Sequence, residues 1–93
     1  MFINMGFVSP RPGKEKVLAA VMHSFAESFK GATGLIDTYV VVESNGSTLV
    51  GISVWSDKLS FEAAMQKVRP SPPPEPMEQI RTAPPLVRQF ESV

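Results

Sequence analysis

Leu35-Ile-Asp-Thr-Tyr-Val-Val-Val-Glu43, then Asn45-Gly46, then Thr48-Leu-Val-Gly-Ile-Ser-Val-Trp55 is the stretch whose reading decides the fold. Two runs rich in β-branched residues flank an Asn-Gly pair, the strongest short signal for a β-hairpin. A two-residue turn at Asn45-Gly46 sets Val41 opposite Val50, Val40 opposite Gly51 and Tyr39 opposite Ile52. Side chains alternate across a strand. One face of the ribbon therefore carries Tyr39, Val41, Val50, Ile52 and Val54, and the other carries Ile36, Thr38, Val40, Val42, Leu49, Gly51, Ser53 and Trp55. Both faces are largely apolar, so both are expected to be covered.

Before the hairpin, Phe2 to Val8 alternates Ile3, Met5 and Phe7 against Phe2, Asn4, Gly6 and Val8, the pattern of a strand. Ser9-Pro10-Arg11-Pro12-Gly13 stops it, with Pro12 suited to a first helical position. From Lys14 to Lys30, Leu18, Val21, Met22, Phe25 and Phe29 make one apolar helical stripe, and Gly31 suits the residue that closes the helix. After the hairpin, Asp57 is an N-cap candidate for a helix from Lys58 to about Arg69, with Phe61, Ala64, Met65 and Val68 as its stripe. The Pro-rich connector 70–76 excludes helix and inner strand. It is read as an extended polyproline-like linker, in preference to a docking segment for a proline-reading partner. Met77 to Arg81 fits one helical turn, and Leu86 to Val93 a last strand.

The order strand, helix, strand, strand, helix, strand over a single domain, 1–93, predicts an α+β fold. It is a ferredoxin-like βαββαβ unit with a four-stranded antiparallel sheet and two helices on one face. Two helices leave the second apolar face to another subunit, so we expect a homodimer formed through the sheet face.

Composition narrows the function classes. The 93 residues carry nine basic and nine acidic side chains, for zero formal charge, with no basic block. That gives no electrostatic footprint for nucleic acid or an anionic membrane. No cysteine is present, which excludes disulfides and thiolate metal sites. No apolar run approaches the length of a membrane span. The Met1-Phe2-Ile3-Asn4-Met5 start lacks the positive region of a signal peptide, and the expected location is cytoplasmic. The strand ending at Trp55 also lacks the basic, multiply aromatic run of an RNA-recognition fold with the same element order. Paired carboxylates at catalytic spacing, a His-plus-carboxylate metal cluster, a phosphate-cradling Gly loop and a nucleophile elbow are absent from the sequence.

Pro12-Gly13-Lys14-Glu15, Gly34-Leu35, and above all Gly51-Ile-Ser-Val-Trp55 running into Ser56-Asp57-Lys58-Leu59-Ser60-Phe61-Glu62-Ala63-Ala64-Met65 resemble the antibiotic biosynthesis monooxygenase family. The resemblance covers essentially the whole chain. It implies a dimeric α+β barrel, two subunits joined sheet to sheet, each with a pocket between sheet and helices. Family members oxidise anthrones with O₂ and neither metal nor flavin, degrade heme, oxidise small quinols, or have no known activity. By this resemblance Trp55 matches a pocket tryptophan at the end of the third strand. The anthrone-oxidising branch has an asparagine four residues before it; here the position is Gly51, without a side-chain donor. The heme-degrading branch has an axial histidine after the second helix; the only histidine here is His23, in the first.

The resemblance thus implies a cofactor-independent monooxygenase or quinol-oxidase-like enzyme acting on a small aromatic substrate, with no cofactor and no metal. Phe25, Trp55, Phe61 and Met65 would wall the pocket, and Asn4 or Ser53 would orient a substrate oxygen. Each residue also has a plainer reading. Trp55 is equally a large core residue. Asn4 and Ser53 read first as partners for backbone or water. His23, beside Glu27 on the polar helix face, reads as solvated. Tyr39 shares the outer ribbon face with Asp37 and reads as interface packing, and Arg88 as a charge that guards an edge strand. Two other functions stay open. One is a non-catalytic homodimeric module that binds a small apolar ligand, the other a structural dimer with a filled interior. An open cavity with polar groups favours the enzyme, an apolar one the binding module, and no cavity the structural dimer.

Overall fold

The computed structural model describes residues 1–93. The chain runs β1 (Phe2–Val8), α1 (Glu15–Glu27), β2 (Leu35–Val42), β3 (Leu49–Trp55), α2 (Lys58–Lys67), α3 (Met77–Ile80) and β4 (Leu86–Glu91). The strands form one antiparallel sheet in the order β2-β3-β1-β4, the ferredoxin-like arrangement the sequence predicts. Its first and last strands are neighbours: Met1 donates its N-terminal amine to Ser92 Oγ at 2.8 Å, and Ser92 N–H donates to Met1 O at 2.9 Å. No helix is long and apolar enough to cross a membrane.

The hairpin has the expected register, with Val41 opposite Val50, Val40 opposite Gly51 and Tyr39 opposite Ile52. Its turn is different. Glu43 N–H donates to Thr48 O at 2.9 Å and Gly46 N–H to Glu43 O at 3.3 Å, so the loop spans Ser44 to Ser47. A two-residue type I′ turn needs positive φ at both central residues. Gly46 has no positive φ, and the Glu43 carboxylate lies where a Cβ on Gly46 would be. Adding one residue to each side of a two-residue loop preserves the pairing, which is why the register survives the change of turn.

A second departure lies at the start of β2. Leu35 pairs with Trp55 and Asp37 with Val54, leaving Ile36 as the extra residue of a bulge. Ile36 is exposed rather than on the helix-facing side, and Leu35 takes its place there, packed on the core around Trp55. Val42, also expected under the helices, is exposed at the outer edge of the sheet.

Pro12 sits before α1 rather than in it. Lys14 N–H donates to Arg11 O at 2.9 Å, and Gly13 has φ +82°, so Pro12 and Gly13 are the central pair of a type II turn. The helix then starts at Glu15, whose carboxylate accepts from Gly13 N–H at 3.2 Å. It ends at Glu27, three residues before the expected Lys30, but the chain stays wound. Phe29 and Lys30 donate to carbonyls three residues back, and Gly31 turns away at φ +81°. This last turn carries Phe29 into the core, where it is 3% exposed.

The Asp57 cap is in place, its Oδ1 accepting from Ser60 N–H at 2.8 Å. That bond holds the Asp57 carboxyl below the usual aspartate range. α2 stops at Lys67 because Pro70 is close behind and disfavours helix before it. Residues 70–76 carry no helix or strand and lead into α3, whose Ile80 is fully buried.

Both long helices lie on one side of the sheet, Leu18 of α1 packing with Val8 and Leu49 and Phe61 of α2 with Phe2 and Trp55. The other side shows Ile3, Met5 and Phe7 of β1 beside the outer residues of the hairpin and Leu86, Arg88 and Phe90 of β4. Tyr39, Val41, Leu86 and Phe90 on this side are all exposed. Tyr39 donates its hydroxyl to Asp37 Oδ2 at 2.8 Å. This hydrogen bond and the carboxylate's charge raise the Tyr39 phenol above the usual tyrosine range.

Candidate functional site

The strand registers stack the helix-facing side chains into rows that cross the sheet. One row is aromatic: Trp55 of β3 opposite Phe2 of β1. The next is polar throughout: Thr38, Ser53, Asn4 and Gln89, from β2, β3, β1 and β4 in turn. The third is Val40, Gly51, Gly6 and Val87, with the two glycines paired in the centre of the sheet. The fourth pairs Leu49 with Val8.

This layering divides the interior. Phe2, Phe29, Trp55, Phe61 and Ala64 form one buried cluster, and Val8, Leu18, Leu49 and Ile80 form another. The polar row and the glycine row lie between them. Glycine projects nothing from a sheet, and in a strand interior it often marks the close approach of a ligand. A Cβ on Gly6 would meet no atom within 4 Å, and one on Gly51 would meet Met22 Cε at 3.3 Å.

A cavity of about 440 Å³ lies over these rows, within the range usual for small-molecule sites. Asn4, Gly6, Gly51 and Ser53 line its sheet side, while Met22, Phe25 and Phe29 come from α1 and the turn after it. Phe61 and Met65 of α2 also line it, and Pro70, Ser71 and Pro73 of the proline segment pass along its border. Met77 and Arg81 close the remaining side. The wall is predominantly apolar, with no acidic side chain and no histidine.

The structure thus brings Asn4, Ser53, Phe25, Phe61 and Met65 around one space. Trp55 is not there. It is fully buried, with its ring 5.2 Å from that of Phe29 at 90° and 5.8 Å from that of Phe61 at 71°. Both of these phenylalanines line the cavity, so Trp55 stands behind them as their support, and the pocket-wall expectation for Trp55 gives way to the core reading. The physical reason is the sheet register: Trp55 lies in the aromatic row, one row beyond Ser53. Its Nε1–H has no hydrogen-bond partner, an uncommon state for a buried donor.

Asn4 Oδ1 accepts from Gln89 Nε2 at 3.1 Å, which fixes the amide and leaves its NH₂ group as a donor. Ser53 is 6% exposed, and its hydroxyl makes no hydrogen bond within the chain. His23 is exposed on α1, and its neighbour Glu27 pairs with Lys30 at 3.0 Å. Arg88 is exposed on β4, an edge strand.

Sequence reasoning missed Gly6, Thr38 and Arg81. The signal for Gly6 was available: Gly6 and Gly51 fall on the helix-facing side of their strands by simple alternation. What the sequence did not give was the β1–β3 register that pairs them.

The sequence model of the antibiotic biosynthesis monooxygenase family matches residues 1–71. The chain belongs to this family. Solved structures agree in fold. A conserved protein from Methanosarcina mazei superposes with a TM-score of 0.77 at 14% identity, over 99% of this chain and 92% of its own. A Pseudomonas aeruginosa protein gives 0.76 at 10%, over 99% and 93%. SnoaB, a cofactor-independent oxygenase from Streptomyces nogalater, gives 0.72 at 16%, over 99% and 92%. At such identities the likeness is one of fold. No curated protein matches the chain in sequence. Within this monooxygenase family the matched segment holds β1 to α2 and the start of the proline segment, while α3, Arg81 and β4 lie beyond it.

Proposed function

We propose that the chain binds a small aromatic molecule in the cavity over its glycine row and oxidises it with O₂ without a cofactor. It would act as a cytoplasmic homodimer joined through the open face of the sheet. The observation that carries this reading is the paired Gly6 and Gly51, set beside a row of hydrogen-bonding side chains. A sheet built only to be covered would fill that space, since unfilled volume inside a protein forfeits packing.

The chemistry asks for an electron-rich, ionised substrate that can reduce O₂, held in an apolar space. The phenylalanines Phe25, Phe29 and Phe61 supply that space, with Asn4 Nδ2 and the Ser53 hydroxyl as donors to a substrate oxygen. No carboxylate or imidazole lines the cavity to act as base. Ionisation therefore falls to the substrate's own acidity, as an anthrone or a quinol permits. The same absence favours the second reading, a non-catalytic dimer that only binds such a molecule.

Oxygen consumption by metal-free protein, with a panel of anthrones and quinols, separates the two. The control is Gly6→Val, which puts a side chain into the cavity floor at a position where a Cβ meets no atom within 4 Å. Turnover well above the spontaneous rate, lost in Gly6→Val, supports the oxygenase. Binding without turnover supports the second reading.

A further inference from the structure

We infer that the ligand of this cavity is an aromatic carboxylate and that Arg81 receives its anionic group. The inference rests on the reading of the cavity as a ligand site and names the substrate class.

Arg81 is the only charged residue among those that line the cavity. It is partly buried, and its guanidinium makes no hydrogen bond and no ion pair. Other cations in this part of the chain are engaged. Arg11 Nε donates to Glu78 O at 2.6 Å, and Lys14 Nζ pairs with Glu75 at 2.8 Å. The acid nearest along the proline segment is thus taken by Lys14, and none of the cavity's lining residues offers a counter-charge.

Arg81 is also firmly mounted. Its N–H donates to Met77 O at 2.9 Å, and it forms an isolated β-bridge with Pro10. Arg11 N–H donates to the preceding carbonyl, Ile80 O, at 2.9 Å, and Thr82 N–H to Ser9 O at 3.0 Å. Ile80 is fully buried beside it. The cation is therefore held on a fixed piece of backbone rather than on a loose loop.

An unpaired cation against an apolar wall is costly, and water satisfies it less well as the space closes. A carboxylate would take two parallel N–H donors from the planar guanidinium, and the surrounding low dielectric would strengthen that pair. The layout gives the ligand a direction. Along β1 the polar row lies at Asn4 and the glycine row at Gly6, and just past its end Pro10 makes the bridge to Arg81. A ring over Gly6 and Gly51 would direct one oxygen to the Asn4–Ser53 row and its carboxylate to the opposite end, at Arg81.

The test is calorimetric titration of 2-naphthoate and its uncharged isostere 2-naphthamide into the wild-type chain, Arg81→Gln, Arg81→Lys and Gly6→Val. The expected result is naphthoate binding tenfold or more tighter than naphthamide. Arg81→Gln should erase that preference with naphthamide unchanged, and Arg81→Lys should keep part of it, since lysine supplies charge without the fork. Equal binding of the two compounds, blocked by Gly6→Val, would overturn the anion subsite and leave the cavity reading intact. So would a preference that survives Arg81→Gln. Binding by neither compound, or binding unaffected by Gly6→Val, would overturn the cavity reading and this inference together.

Discussion

Gly6 leaves the cavity open and Trp55 supports its wall from behind, and substitutions at each should show it. Gly6→Val adds a β-branched side chain in a strand interior, which favours the sheet. A Cβ there meets nothing within 4 Å. The expected outcome is a melting temperature equal to or above wild type, with ligand binding abolished. Trp55→Ala should do the reverse by a different route. Removing a fully buried tryptophan costs about 3–5 kcal/mol, most of what a small domain has. Activity lost in that variant would report unfolding. Trp55→Phe keeps the aromatic cluster and removes the unpartnered N–H, so calorimetric unfolding should show a far smaller loss, with ligand affinity kept. At Asp57 the prediction concerns pH. Its carboxyl titrates below the usual range because Ser60 N–H stabilises the ionised form. A lowered folded-state pKa contributes stability that is present above the unfolded value and lost as pH falls through the folded one. Asp57→Ala should therefore lower the melting temperature by a few degrees at pH 7, and less at pH 3. Asp57→Asn, which keeps an acceptor, should recover most of the loss at pH 7.

At the scale of elements, what was legible in the sequence follows from how local its cause is. The β2–β3 register was legible because it depends on residues close together in sequence, even though the turn that joins them is not the one expected. The Asp57 cap was legible for the same reason. Trp55 was misplaced because its surroundings are set by the β1–β3 register and by the wound segment that brings Phe29 inward, and neither is local to Trp55. Arg81 was passed over because nothing next to it in sequence marks it; its place is fixed by Pro10, Arg11 and Met77. The proline segment behaves as a strap tied at both ends, by α2 on one side and by Ile80 on the other. Ile80→Ala should cost about 2–5 kcal/mol. It should also weaken ligand binding, because the strap borders the cavity through Pro70, Ser71 and Pro73. Chemical denaturation and titration of the same variant check the two effects separately.

For the whole molecule, the helices cover one side of the sheet and leave Tyr39, Val41, Leu86 and Phe90 exposed on the other. The proposed homodimer would cover these apolar residues with the matching face of a second copy, related by two-fold symmetry. Light scattering should give a dimer at micromolar concentration, and Val41→Lys or Phe90→Lys should shift it to monomer. A monomeric wild type would remove the dimer from the proposed function.

The neighbouring positions of β1 and β4 have a consequence for the order in which the molecule is made. The β2–β3 ribbon closes over a short loop, whereas β1 and β4 meet only across nearly the full length of the chain. Contacts between residues distant in sequence carry the larger loop-closure entropy and form late. The last segment brings Ile80, Arg81 and the far end of the strap with it. During folding the ribbon can therefore close before the cavity has its final wall. In hydrogen exchange the β4 amides that bond to β1 should open before those shared by β2 and β3. Bound ligand should slow the opening of the β4 end far more than that of the ribbon.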